Sequence, residues 1–335
     1  MTYMQEMFST QPGWGTFGFF FLMSTVLLIT ILGFVAYAIL AERKVMGYMQ
    51  LRHGPNRVGG KFGLLQSVAD ILKLLLKEDI FPAKADKPLF IIAPVIAFVP
   101  SFMVVAVIPF TEAVQFSDIG VGLLYYIAVS GVTTLGVLTA GWASNNKYSL
   151  IGGMRAAAQM ISYEIPLVMS VVGIVLLSGS LNLTTIVEAQ ENIAFIFIQP
   201  IAFIVFFIAA TAELNRTPFD LPEAESELVA GYHVEYSGFR FAFFMLSEYV
   251  YLFAMSALIT VLFLGGWNPI PGLGFIPDPF WFSIKFIVIV FIFMWFRSTF
   301  PRVRGDQLME FGWKVLLPIA LANIFLTAIL KELFF

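Results

Sequence analysis

Eight apolar runs divide the chain into membrane-length segments separated by polar links. An α-helix rises about 1.5 Å per residue, so a hydrocarbon core of about 30 Å needs roughly 20 apolar residues. The runs predict transmembrane helices over residues 17–40, 88–110, 119–142, 156–178, 194–213, 239–264, 281–299 and 314–334. We therefore predict an all-α polytopic membrane protein with one membrane domain over residues 1–335.

The Lys and Arg residues collect in alternate links, and this predicts the orientation of the chain. The links after the first, third, fifth and seventh spans carry basic residues. The links after the second, fourth and sixth spans carry Asp or Glu but neither Lys nor Arg. Because basic links stay on the inner side, we predict a multi-pass cell-membrane protein with both termini outside and its basic links in the cytoplasm.

The first cytoplasmic link is long and contains a helical pattern of its own. Leu64, Val68, Ile71 and Leu75 recur at helical spacing, while the charged residues between positions 64 and 78 lie off this stripe. The pattern predicts an amphipathic helix in the membrane interface. Such a helix is either a structural anchor or a wall that admits an amphiphile.

The link between the fifth and sixth spans, residues 213–238, is an acidic segment between two apolar runs. Asp220 is a candidate N-cap with Glu223 at the capping-box position, which predicts a short helix over residues 221–230. Asp220, Glu223 and Glu227 then share one face, and crowded carboxylates favour shared protons. The segment is therefore a proton-handling site or a docking surface, unless it is only a solvated loop.

Three further acids lie within predicted spans, namely Glu164, Glu213 and Glu248. An ionised carboxylate at the centre of a membrane helix costs about 2.5–3.5 kcal/mol on insertion scales. Such residues face a polar cavity or share a proton. The predicted topology puts all three in the cytoplasmic half of the bilayer, near the acidic link.

Composition narrows the chemistry that the chain can perform. Hydrophobic residues make up 59% of the sequence and charged residues only 12%, with a mean hydropathy of +0.87. There are no cysteines and only two histidines. The chain by itself therefore cannot ligate an iron–sulfur cluster, and a histidine-rich metal or haem site is not expected. We assign no catalytic or metal-binding residue.

Two long motifs resemble a known family. Residues 41–78 (AERKVMGYMQLRHGPNRVGGKFGLLQSVADILKLLLKE) and residues 213–238 (ELNRTPFDLPEAESELVAGYHVEYSG) are similar to signature regions of the H-subunit family of the proton-pumping NADH-quinone oxidoreductase, respiratory complex I. The resemblance covers essentially the whole chain. It implies a membrane component of a translocating enzyme, placed where the peripheral redox arm meets the antiporter-like membrane arm.

The resemblance also implies roles for individual residues. Arg43, Arg52 and Arg57 would line the cavity that receives the quinone, and Val68 and Ile71 on the amphipathic stripe are candidates for its access path. The path that couples quinone reduction to proton movement would include Glu164, Glu213, Glu223, Glu225, Glu227 and Glu248, and the acidic face adds Asp220. The FMN and iron–sulfur clusters are expected in partner subunits, with quinone as the substrate. No role is assigned to His233.

Two other functions remain open at this point. The homologous membrane subunit of an energy-converting hydrogenase shares this fold but has no quinone. The long first link and the full acidic motif favour the quinone enzyme. A stand-alone proton-coupled transporter is the second alternative, and the sequence offers neither the internal repeats nor the dispersed acids that would favour it.

Overall fold

The computed structural model of the protein describes residues 14–112, 114–221, 229–269 and 277–334, and every regular element in these ranges is helical. The helices are α1 (Trp14–Met49), α2 (Gln66–Leu76), α3 (Lys87–Met103), α4 (Gly122–Ala143), α5 (Lys147–Ser178), α6 (Leu183–Glu188), α7 (Phe195–Ile198), α8 (Pro200–Glu213), α9 (Gly238–Phe263), α10 (Asp278–Thr299), α11 (Gly305–Phe311) and α12 (Leu317–Phe334). Short 3₁₀ turns cover Val104–Val107 and Gly231–His233, and a π-helical segment joins α11 to α12.

Seven helical segments among the described residues are long and apolar enough to cross a membrane. They are Phe17–Met49, Lys87–Val107, Gly122–Ala143, Lys147–Ser178, Gly238–Phe263, Asp278–Thr299 and Gly305–Leu333. Each corresponds to one of the predicted runs. The prediction of an all-α polytopic membrane protein is confirmed.

The predicted span over residues 194–213 differs from the other seven, because it is broken into two helices. α7 ends at Ile198, and α8 begins at Pro200 and has only 14 residues. At 1.5 Å per residue α8 extends about 21 Å, which is less than a full hydrocarbon core. Pro200 has no N–H and restricts the residue before it, and Gln199 lies outside the helical region at φ −128° and ψ 59°.

The break is held by the side chain of Gln199, which is buried. Its Nε2 donates hydrogen bonds to Oγ1 of Thr327 at 2.8 Å and to the carbonyl of Gly173 at 3.3 Å. Its Oε1 accepts a 3.1 Å hydrogen bond from Asn323. Because polar groups inside a membrane need partners within the protein, this amide network fixes the broken helix against α5 and α12.

Several helices extend beyond the predicted apolar runs into charged sequence. α1 continues past residue 40 to Met49, so that Glu42 and Arg43 are helical. α5 begins at Lys147 rather than at residue 156. A hydropathy pattern marks only the apolar part of a helix. Ala, Glu, Arg and Lys are good helix formers, so the helix itself continues readily into charged sequence. These extensions add charged side chains to the ends of apolar helices.

α9 forms the centre of the molecule. Of the most apolar 18-residue stretch of α9, 89% is buried within the chain, against 11% for α1, so α9 lies inside the bundle and α1 at its edge.

Close packing of α3 against α4 depends on Gly136. A Cβ at this position would lie 2.6 Å from the backbone nitrogen of Ala97, which is a clash.

The predicted amphipathic segment of the first link forms α2. The hydroxyl of Ser67 donates a hydrogen bond to the carbonyl of Ala36 on α1, so the polar side of α2 faces the bundle. Val68 and Ile71 lie on the outer side, and each is 49% exposed. The apolar stripe is therefore available for contact outside the chain.

Candidate functional site

Arg216, just beyond the end of α8, is the centre of a buried cluster of charges. Its side chain is excluded from solvent, and Nη1 donates a 2.7 Å hydrogen bond to Oε2 of Glu42 on α1. Its Nη2 lies 3.4 Å from Oε1 of Glu248 on α9. The guanidinium carbon lies 5.0 Å from the centre of the Tyr249 ring, within the range of a cation–π contact. One arginine therefore ties α1 to α9.

A second arginine, Arg297 on α10, completes the cluster. Its Nη1 donates a hydrogen bond to Oε1 of Glu42 and lies 4.0 Å from Oε1 of Glu248. Two guanidinium groups and two carboxylates give a formal charge of zero, the condition under which buried ions are tolerated. Burial acts to lower the pKa of Arg216, but the carboxylates of Glu42 and Glu248 outweigh burial and hold that pKa above its ordinary value.

The sequence places Glu42 in this cluster through the register of α1. Ile31, Val35 and Ala38 are buried on one face of the helix, and Glu42 follows four residues after Ala38. This spacing continues a single helical face. The first carboxylate beyond the apolar run is therefore directed into the bundle.

The turn that presents Arg216 is fixed by Gln159 of α5, which is buried. Its Nε2 donates to the carbonyls of Ala212 and Phe219, each at 2.7 Å, and to Oδ1 of Asn215 at 3.1 Å. These bonds join the last turn of α8 to the segment that follows it. The position of the guanidinium is therefore set by α5 as well as by the cluster itself.

Glu213 is the last residue of α8, and it is buried among hydroxyl groups. Its side chain is only 8% exposed, with the hydroxyl of Ser130 within hydrogen-bonding reach of the carboxylate. The hydroxyl of Tyr251 donates a 3.2 Å hydrogen bond to the carbonyl of Ser130. Tyr126 is buried close to the same carboxylate. A carboxyl group and three hydroxyls thus share one buried site.

A cavity of about 50 Å³ lies between Glu213 and Glu248. Ser247 and Tyr251 are among its lining residues. A water molecule needs about 10–15 Å³ on this kind of measure, so the cavity has room for a short chain of waters. The two carboxyl groups can therefore exchange protons through water without direct contact.

Glu164 lies in the middle of α5 and is half-buried. Its Oε1 packs over Gly131 of α4, where an added Cβ would lie 3.0 Å from it. Glu164 is close enough to Glu213 for their charges to interact. The structure thus brings together the three acids, Glu164, Glu213 and Glu248, that the sequence placed within spans.

The acidic link is described only in part. Asp220 forms an ion pair with Arg302, in which Nη2 and Oδ2 are 3.0 Å apart. Glu223, Glu225 and Glu227, and with them the helix predicted after Asp220, lie outside the described residues.

The three arginines predicted for the cavity wall do not belong to the buried cluster. Arg43 follows Glu42 on α1 but points to α2, where Nη1 lies 2.6 Å from Oδ2 of Asp70. Arg52 and Arg57 lie on exposed segments of the first link. Val68 and Ile71, the two residues predicted for the access path, lie on the exposed face of α2 in the same link. They are not part of the buried cluster either.

Sequence reasoning missed Glu42 and Arg297 as site residues and treated Arg216 only as a marker of topology. The signal for Glu42 was present, because it continues the buried face of α1 through Val35 and Ala38. The signal for Arg297 was its position inside an apolar run, where a charged residue needs a partner. No pattern within the sequence pairs these residues with one another.

Within the described ranges, no group of three or more His, Cys, Asp and Glu side chains could hold a metal ion. The site is built from carboxylates, guanidinium groups and hydroxyls. Carboxylates and hydroxyls can bind and transfer protons, and guanidinium groups can hold the carboxylates in position.

Comparison with known proteins identifies the family. Residues 22–328 match the NADH dehydrogenase family. The chain is 74% identical to the H subunit of the NADH-quinone oxidoreductase of Bacillus thuringiensis (strain Al Hakam) over 332 residues, which cover 99% of this chain and all of the relative. The corresponding H subunits of Bacillus cereus (strain AH187) and Bacillus anthracis (strain A0248) match to the same extent. The resemblance inferred from the two motifs is confirmed, and the chain belongs to the NADH dehydrogenase family, in the branch formed by these H subunits.

Proposed function

We propose that this chain is the membrane subunit of a proton-translocating NADH-quinone oxidoreductase, in which it helps to form the quinone cavity and couples quinone reduction to proton movement. Its relatives are named as the H subunit of that enzyme. Because the chain has no cysteine, electrons must reach the quinone through FMN and iron–sulfur clusters held by partner subunits. The part left to this chain is to receive the quinone and handle protons.

The observation that carries this proposal is the buried cluster of Glu42, Arg216, Glu248 and Arg297, with a cavity joining Glu248 to Glu213. Removing charged groups from water, almost completely for Glu42 and Arg216 and partly for Glu248 and Arg297, costs stability, and so does a cavity inside an apolar bundle. A purely structural helix bundle has no need of such an arrangement. A proton path needs both the ionisable groups and a cavity that can hold water.

Charge balance suggests how the cluster couples to proton movement. With both acids ionised the cluster is neutral, and a proton arriving on Glu248 would leave it with one excess positive charge. That charge would favour the ionised form of Glu213 across the cavity, so a proton would move on from Glu213 toward Glu164. Uptake of a proton by Glu248 would thereby drive release of a proton from Glu213.

The acidic link would connect this path to the quinone. Asp220 lies at its described end, paired with Arg302. Glu223, Glu225 and Glu227 follow in sequence, and we assign them to the same path by their likeness to the family motif. A charge change at the quinone could then pass through these carboxylates to Glu248.

The quinone side of the proposal rests on the first link. A quinone has a polar head that accepts hydrogen bonds and a long isoprenoid tail. Val68 and Ile71, on the exposed face of α2, are suited to contact the tail at bilayer level. Arg43, Arg52 and Arg57 supply hydrogen-bond donors for the cavity wall.

The topology follows from the distribution of Lys and Arg. We propose that both termini lie outside the cell membrane and that the first link and the acidic link lie in the cytoplasm. α8, although short, would complete an eighth crossing together with α7. The peripheral arm would then dock on the cytoplasmic links, and the antiporter-like subunits would lie beside the helices.

The test is to replace Glu213 by Gln in the assembled complex and to measure proton translocation per quinone reduced in membrane vesicles. We expect translocation to fall severalfold while electron transfer from NADH to ferricyanide, which needs only the peripheral arm, is unchanged. Glu188→Gln, at an exposed acid of α6, is the matched control and should behave like the parent. Full translocation in an assembled Glu213→Gln complex would refute the proton role.

A further inference from the structure

The cavity between Glu213 and Glu248 has three hydroxyl groups in its wall that the carboxylates do not explain. They belong to Thr133 on α4 and to Ser247 and Tyr251 on α9. All three residues are buried, with exposures of 5%, 6% and 7%. The proton path proposed above needs water in this cavity but assigns no task to these hydroxyls.

The hydrogen of each hydroxyl is already bound to the backbone. Thr133 and Tyr251 both donate to the carbonyl of Ser130, at 2.7 Å and 3.2 Å. Ser247 donates to the carbonyl of Ala97 on α3 at 2.8 Å. A carbonyl oxygen can only accept, and a hydroxyl has a single hydrogen to give. The three oxygens therefore present only lone pairs to whatever occupies the cavity.

Lone pairs in the wall determine which charged form of water the cavity favours. A hydronium ion donates three hydrogen bonds, whereas a hydroxide ion needs donors around it. An ion buried in a low dielectric is tolerated only where such bonds are made, and there they are stronger than in bulk water. These three oxygens therefore favour an excess proton over a proton vacancy.

The charges on either side of the cavity act in the same direction. The cluster at Arg216 is formally neutral when both of its acids are ionised. Within the described residues Glu213 forms no ion pair, so its carboxylate adds one negative charge that no guanidinium or ammonium group offsets. A cation in the cavity would balance that charge.

We propose that Thr133, Ser247 and Tyr251 are positioning residues for proton translocation, which orient the water of the cavity so that it carries an excess proton. The inference rests on the proposed function and names the species that crosses between Glu248 and Glu213. An O–H bond of the Glu248 carboxyl breaks as one forms on water. The hydronium ion then gives a proton to the Glu213 carboxylate, and no electrons are transferred.

Two of the hydroxyls can be removed without leaving a buried carbonyl unpaired. Thr133 and Tyr251 share the carbonyl of Ser130, so that either one still donates to it when the other is lost. Thr133→Val and Tyr251→Phe also keep nearly the same shape. Both variants should therefore assemble with the thermal midpoint of the parent.

The first experiment measures the rate of proton translocation in membrane vesicles, normalised to NADH–ferricyanide activity. We expect the rate to fall about tenfold in Thr133→Val and in Tyr251→Phe, because each loses a hydrogen bond to the crossing ion. Thr133→Ser keeps the oxygen and should match the parent.

Thr139→Val is the matched control for this series. Its hydroxyl lies on the same helix and also donates to a backbone carbonyl, that of Leu135, but it does not line the cavity. It should match the parent as well. Parent rates in Thr133→Val and Tyr251→Phe would overturn the proposal. So would equal losses in Thr133→Val and Thr133→Ser, since the loss would then follow the shape of the side chain and not its oxygen.

A second experiment repeats these rates in D₂O. If the crossing of the cavity has been slowed, the ratio of the rates in H₂O and D₂O should be larger in Thr133→Val than in the parent. An unchanged ratio would mean that the slowed step is not a proton transfer, and would also overturn the proposal.

Glu213→Gln, measured in the same vesicles, separates this inference from the function on which it rests. A loss of translocation in Glu213→Gln but not in Thr133→Val or Tyr251→Phe would leave the proton role of Glu213 standing and remove that of the hydroxyls. Normal translocation in Glu213→Gln would remove both.

Discussion

Glu42 on α1 accepts a 2.7 Å hydrogen bond from Arg216, which follows α8, although 174 positions separate the two in the chain. Both side chains are almost completely excluded from solvent, at 2% and 0% exposure. A buried pair of this kind contributes less through its attraction than it costs when one member is lost, because the remaining charge is then unpaired.

The first prediction follows from this asymmetry. Glu42→Gln leaves Arg216 and Arg297 with one carboxylate between them and should cost about 3–5 kcal/mol of stability. The double change Glu42→Gln/Arg216→Met removes both members and should cost less than Glu42→Gln alone. The thermal midpoint of the purified complex is the measurement. Glu310→Gln, which breaks an exposed pair with Lys314, is the control and should shift the midpoint little.

The second prediction compares two glycines on α4. Gly136→Ala puts a Cβ 2.6 Å from the backbone of Ala97 on α3, which cannot move without separating the helices. We expect about 1–3 kcal/mol of destabilisation and poor assembly. Gly131→Ala meets only the flexible end of Glu164, at 3.0 Å.

Gly131→Ala should therefore assemble normally while displacing the Glu164 carboxylate. Its expected signature is a lower ratio of protons moved to quinone reduced, with an unchanged thermal midpoint. If Gly131→Ala and Gly136→Ala lose stability equally, the packing distinction drawn between these two positions is wrong.

The third prediction concerns the broken helix before α8. Gln199→Leu removes the amide that joins Gly173, Asn323 and Thr327, and leaves buried polar groups without a partner. Each such group costs about 1–3 kcal/mol. We expect a clear fall in the thermal midpoint, whereas Gln307→Leu, at an exposed position of α11, should have little effect. An unchanged midpoint for Gln199→Leu would mean that the break is held by packing alone.

The sequence predicted the helices well, because a membrane span needs a long apolar run and little else produces one. It also predicted that Glu164, Glu213 and Glu248 would face a polar cavity or share a proton, since an ionised carboxylate inside such a run is costly. It did not predict the break at Gln199, where an apolar run continues through Pro200 without a change in hydropathy. Nor did it predict which arginine meets Glu42, because that depends on how four separate segments pack.

The fourth prediction uses the buried imidazole of His233. Burial lowers its pKa from 6.5 to about 4 in the folded chain. Between these values the unfolded chain binds a proton that the folded chain does not, so this stabilisation is complete above pH 6.5 and is lost as pH falls toward 4. The loss is at most about 3 kcal/mol.

Thermal midpoints measured between pH 4.5 and pH 7 test this sign. His233→Gln should make stability less dependent on pH across that window, while His53→Gln, at an exposed position, should leave the dependence as in the parent. A steeper loss of stability in His233→Gln would contradict the assignment.

The last prediction concerns the outer face of α2, where Val68 and Ile71 are each 49% exposed. If this face lines the quinone access path, Val68→Lys or Ile71→Asp should hinder long-tailed quinones far more than short-tailed analogues. Only the long tail has to remain against that wall while the head group reaches the cavity. The measurement is the ratio of kcat/KM for the two quinones in variant and parent, with assembly checked by cofactor content.

A face that serves only as an anchor in lipid gives a different result. The same two changes would then lower the amount of assembled complex, and each complex that did form would treat both quinones alike. Leu76→Lys is a useful comparison, because Leu76 is even more exposed, at 86%, and lies at the last turn of α2 beyond the Val68–Ile71 patch. A ratio that falls for the first two variants but not for Leu76→Lys would assign the access path to that patch, whereas a ratio unchanged in all three would remove the access role and leave α2 as an interfacial anchor.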